Sequence, residues 1–140
     1  MASDPHNLQR FVEAQESTYV QALRELPEGR KRSHWMWFIF PQLRGLGHSA
    51  MAYEYGIASR AEAVAYLEHP VLGARLRECT RAVNGVEGRS ALEIFGSPDD
   101  LKFRSSMTLF AQVTAHNAEF TDALARYCGG EQDPRTLALL

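Results

Sequence analysis

An all-α fold is what this sequence predicts: a compact, irregular array of about seven or eight helices around a central tryptophan-rich helix. Three observations predict it. Apolar residues recur at spacings of three and four along most of the chain, the period of a helix that buries one face. Helix-capping residues and Pro or Gly stops alternate with these stretches. The one apolar run that would suit a buried strand, His34 to Phe40, has no partner run, and a lone strand leaves its backbone groups unpaired.

The first helix opens at Asn7 as N-cap. It carries Leu8, Phe11, Val12, Gln15, Tyr19, Leu23 and Leu26 on one side, and Pro27 and Gly29 stop it. Arg30, Lys31 and Arg32 follow. Ser33 then caps the tryptophan-rich helix, which Pro41 ends or kinks. Gln42 to His48 contains Gly45 and Gly47 and reads as a loop. Ser49 caps a short helix through Tyr55, before Gly56. Ser59 to Glu62 has the form of a capping box, and its helix buries Ala63, Tyr66 and Leu67. After His69, Pro70 takes the first position of a helix striped by Leu72, Leu76, Cys79 and Val83. Ser90 to Glu93 repeats the box ahead of Gly96. Ser97 caps a long helix, with Pro98 at its first position and Asp99 and Asp100 complementing its dipole. Leu101, Met107, Leu109, Phe110 and Val113 are its apolar positions. Asn117 caps a helix bearing Phe120, Leu124 and Tyr127, which Gly129 and Gly130 stop. Asp133 and Pro134 start a final short helix that includes Leu137.

A chain of 140 residues accommodates one ordinary domain, so residues 1–140 are expected to form a single globular unit. With 45% apolar and 23% charged residues it builds a core without disulfide or metal, and it is no disordered chain. The net charge of -2 lacks the basic surplus of a protein that grips nucleic-acid phosphates. Cys79 and Cys128 form no CxxC pair, and His6, His34, His48, His69 and His116 show no metal-ligand spacing. No metal and no cofactor are therefore expected. No stretch approaches the ~20 apolar residues that span a bilayer, and Met1 to Arg10 lacks a signal-peptide layout. These features predict no membrane association and a cytoplasmic location, with both thiols reduced.

Four blocks are distinctive. They are His34 to Gln42 followed by Gly45-Leu46-Gly47; Tyr66 to Gly73; Ile94-Phe95-Gly96 with Asp99, Asp100 and Lys102; and Ser105 to Phe110. Together and in this order they resemble the family catalogued as domain of unknown function 1810, from about Phe11 to near the C-terminus. The resemblance implies a compact, all-helical single domain. Members are often labelled calpastatin, after the calpain inhibitor. Inhibitors of that kind are disordered chains, whereas this sequence has the composition of a folded core. No catalytic residue carries over from the family.

The residues from Lys31 to Ser49 are the first candidate site. Lys31, Arg32 and Arg44 bracket the aromatic segment with His34, and Gly45 and Gly47 let backbone approach a ligand. Lys31, His34, Trp37, Gln42, Arg44, Gly45, Gly47 and Lys102 are the candidate binding residues, with His34, Gln42 and Arg44 expected to converge. Their chemistry suits an anionic small molecule, phosphate- or carboxylate-bearing and nucleotide-like, stacked on Trp35 or Trp37. Two alternatives belong to other classes. One is a protein-interaction module with an exposed apolar patch. The other is an enzyme using His34 as a general base, or Lys102 to activate Ser106 four residues on.

Overall fold

The computed structural model describes residues 4–140. Among them the regular structure is ten helices, against the seven or eight expected. Two short helices, α1 (Gln9–Glu16) and α2 (Tyr19–Glu25), lead to a single turn, α3 (Met36–Ile39). Then come α4 (Ala50–Glu54), α5 (Arg60–Glu68), α6 (Leu72–Asn84) and α7 (Ala91–Phe95). The long α8 (Asp99–Val113) is followed by α9 (Ala118–Tyr127) and α10 (Pro134–Leu139).

The hub is α8, on which α5, α7, α9 and α10 all pack. Ser105 to Ala111 are buried without interruption, so the helix has no solvent face there. The tryptophan-rich stretch is thus not the central helix its composition predicts. It makes one turn, because Phe40 leaves helical geometry (φ -124°, ψ 73°) ahead of Pro41. Its side chains nevertheless belong to the core. Trp35, Met36, Ile39 and Phe40 are buried, and Phe40 meets Phe95 and Phe103 edge-on at 5.9 and 5.1 Å.

Local chemistry explains the other departures. The first expected helix is two, because the Thr18 hydroxyl donates to the Ala14 carbonyl at 2.8 Å while the Thr18 N–H turns to Gln15. Asn7 does not cap α1. It sits at φ 51°, and the Asp4 carboxylate accepts from the N–H groups of Leu8 and Gln9 instead. Pro70 precedes α6 rather than opening it. His69 is extended, as the residue before proline tends to be, and its Nδ1 accepts from the N–H groups of Val71 and Leu72. Pro98, not Ser97, flanks α8, with Asp99 and Asp100 in the first turn. Asn117 flanks α9, but its amide donates to the Ala111 carbonyl. Ser49, Ser59, Ser90 and Asp133 cap as read, and Ser90 with Glu93 completes a capping box. At Ser59 the box is half made, because the Glu62 carboxylate pairs with Arg10 at 2.8 Å.

Two contacts position the loop that matters below. The Arg44 N–H donates to the Ile57 carbonyl at 2.8 Å, and the Ile57 N–H donates to the Gln42 carbonyl at 2.9 Å. This isolated parallel bridge fixes the backbone just beyond the core-filling Phe40 and Pro41. Tight approach shapes the turn from α5 to α6: a Cβ on Gly73 would lie 2.0 Å from the Leu67 carbonyl oxygen, so only glycine lets α6 start there. Among the described residues no helix is long and apolar enough to cross a membrane.

Candidate functional site

A cavity of about 350 Å³ opens between the Gln42–Gly47 loop, the first half of α8 and the start of α10. Leu46, Pro98 and Leu101 give it apolar walls. The helical part is a stripe, Pro98, Leu101, Lys102 and Ser105, at the spacing that puts side chains on one helix face. Three cations line it, Lys102, Arg104 and Arg135, with one carboxylate, Asp133.

That carboxylate is already used. Asp133 caps α10 and accepts hydrogen bonds from Thr136 Oγ1 at 2.6 Å and Ser105 Oγ at 2.9 Å. Burial alone would raise its pKa, but the bonds from Thr136 and Ser105 outweigh it and hold the carboxyl below its ordinary value.

The cations are committed to different degrees. Arg104 pins the segment ahead of α10, donating to the carbonyls of Glu131 and Gln132 at 3.2 and 2.9 Å. Lys102 Nζ lies 3.2 Å from Asp99 and 4.2 Å from the centroid of the Trp37 ring. Asp99 also holds Lys31 at 3.0 Å, so two ammonium groups share one carboxylate. Arg135 is the loosest: it makes one long contact, 3.4 Å, to the Leu46 carbonyl, and no ion pair among the described residues.

Gln42 stands out among the neutral groups. The residue is only 9% exposed, yet its side-chain amide opens to the cavity and has no protein hydrogen-bond partner among the described residues. Gly47 leaves room beside it. A Cβ there would come within 2.8 Å of Ala52 Cβ and 3.5 Å of Gln42 Nε2.

Gln42, Gly47 and Lys102, three of the sequence candidates, thus meet at one cavity. Lys31 joins them through Asp99, and Trp37 lies beneath Lys102 with its Nε1 buried and unpartnered among the described residues. Gly45 shapes the loop at φ 105°. The expected convergence of His34, Gln42 and Arg44 does not occur. His34 is exposed ahead of α3. Arg44 stacks on the Tyr53 ring at 4.3 Å and donates to the Tyr53 carbonyl, and it lines a separate depression with Arg10 and Glu62. Lys102 and Ser106 share no hydrogen bond; Ser106 Oγ is buried without a partner among the described residues. Sequence reasoning passed over Arg104, Asp133 and Arg135 as binding residues. The signal for the α8 side was the stripe from Pro98 to Ser105, but nothing local announces that α10 closes the cavity.

Other reactive groups are quiet. Cys79 and Cys128 are free, and burial pushes the Cys79 thiol up to about 12. Among the described residues no cluster of three or more His, Cys, Asp or Glu side chains is placed to hold a metal ion.

The sequence profile of a family described as "Protein of unknown function (DUF1810)" matches residues 5–140. No curated protein matches the chain. The crystal structure of the conserved hypothetical protein Rv1873 from Mycobacterium tuberculosis is similar over 98% of each chain, at 60% identity and a TM-score of 0.97.

Proposed function

This chain belongs to the DUF1810 family of proteins of unknown function, and from its own geometry we propose that it is a binding domain for a small anionic molecule bearing phosphate or carboxylate. One observation carries the reading. The cavity between the Gln42–Gly47 loop, α8 and α10 is lined by three cations against a single carboxylate, whose Oδ2 is engaged by Ser105 and Thr136. An arginine with only one long internal contact is a ready bidentate donor for a carboxylate or phosphate. The two free thiols support a reducing compartment, the cytoplasm.

Thermal shift against orthophosphate, sugar phosphates and small carboxylates tests the reading. A ligand at 100 times its dissociation constant adds about 2.7 kcal/mol of stability, and Arg135→Ala should remove most of that gain. No stabilisation by any anion of the panel would refute it. A second reading, a protein-interaction surface, is favoured by Leu101, Leu137 and Leu139, which stay exposed on the packed pair α8 and α10. A partner captured equally well by the Arg135→Ala protein and lost with Leu101→Asp would favour it.

A further inference from the structure

We infer that the cavity takes a nucleoside monophosphate, with the phosphate at Arg135 and Lys102 and an edge of the base on the Gln42 amide; the inference rests on the anion-binding reading above. Size comes first. At about 350 Å³ the cavity is near the bottom of the ~300–1,000 Å³ range of ligand sites, which suits one nucleoside with one phosphate and not a dinucleotide.

Gln42 supplies the second argument. A carboxamide presents a donor and an acceptor side by side, and each nucleobase carries a matching pair on its hydrogen-bonding edge. In this chain the residue is nine-tenths buried and lines the cavity, while its amide stays open to the cavity and bonds to no protein group among the described residues. With its stem held in the wall and its amide facing the cavity, Gln42 can exchange water for the edge of a base at little cost in side-chain ordering. Gly47 sits beside it, where a Cβ would clash with Ala52 Cβ at 2.8 Å and push the loop away from Gln42.

The walls fit the same ligand. Leu46 and Pro98 offer apolar faces to a planar ring, and Leu101 is 59% exposed, leaving wet apolar surface for a base to cover. The phosphate of such a ligand carries close to two charges at neutral pH. Two cations with incomplete internal pairing, Arg135 and Lys102, answer a dianion better than a single carboxylate.

Calorimetric titration of the full chain with AMP, GMP, CMP, UMP, the free nucleosides, ribose 5-phosphate and orthophosphate tests this. At least one nucleotide should bind tenfold or more tightly than both ribose 5-phosphate and orthophosphate. Gln42→Leu should cut that ratio at least tenfold, and Gln42→Glu should shift preference from AMP toward GMP, whose edge offers two donors. Matching thermal melts of the two variants exclude misfolding as the cause. If orthophosphate saturates and no nucleotide gains over it, the base-reading proposal fails while the anion site stands. It also fails if Gln42→Leu leaves the nucleotide advantage intact. If no anion binds, both fall.

Discussion

Two polar regions flank the same aromatic turn and are built on opposite terms. On one side the Glu25 carboxylate is 3% exposed and accepts from the N–H groups of Arg32 and Ser33, from Ser33 Oγ, and from Trp35 Nε1. Every partner is internal. On the other side the Gln42 amide opens to the cavity without a protein partner among the described residues, while Arg135 makes a single long contact among them. The difference separates polarity that holds a fold from polarity that faces a ligand. Glu25 locks the chain between α2 and α3, so that Trp35 reaches the core with its indole N–H satisfied. Gln42 contributes nothing comparable to the fold, and its position is set through its backbone by the bridge to Ile57.

The largest expected effect lies at the satisfied region. Glu25→Ala strands two backbone N–H groups and the Trp35 indole N–H, and should cost about 3 kcal/mol in urea unfolding. A loss below about 1 kcal/mol would erase the contrast between the regions.

Acid should expose the same lock. Burial alone would raise the Glu25 pKa, but hydrogen bonds from Ser33, Arg32 and Trp35 more than offset it and hold the carboxyl at about 2, against an ordinary 4.5. A carboxyl depressed on folding stabilises the native state above its unfolded pKa. That contribution is complete above about pH 4.5 and drains away as pH falls towards 2. Stability measured from pH 6 to 2 should therefore fall less steeply for Glu25→Gln than for the natural chain.

Arg104→Ala comes next. It frees the Glu131 and Gln132 carbonyls at the surface and should cost about 1 kcal/mol, loosening α10 in hydrogen exchange. The smallest effects on stability belong to the cavity wall. Arg135→Ala and Gln42→Leu should each change unfolding free energy by less than about 0.5 kcal/mol, since neither removes a strong internal bond. A large loss from either would show that the wall serves the fold and not a ligand.

How much of this was legible follows the same division. Caps that act within three residues were readable: Ser49, Ser59, Ser90 and Asp133 each bond a backbone N–H just downstream. Side chains that compete with the backbone were not. Thr18 and His69 each end a regular pattern through a hydrogen bond that composition does not announce. The tryptophan-rich segment was legible as core and misread as the central helix, because burial says nothing about helix length. The helix that does sit centrally, α8, hid its burial behind Ser105, Ser106 and Thr108, hydroxyl residues that a hydropathy pattern counts as polar. Within the candidate site, the loop and Lys102 were readable from glycines and charge. Arg135 was not, since its place depends on α10 folding back against α8.

The contrast between locked and waiting polar groups is tested most directly by following side-chain N–H signals in nuclear magnetic resonance while AMP is added, with orthophosphate as a parallel titration. The Gln42 amide and Arg135 Nε–H should shift together and saturably with AMP, with Arg135 also responding to orthophosphate, while the Trp35 indole N–H on Glu25 stays fixed. Signals at Gln42 and Arg135 that ignore both ligands would contradict the account.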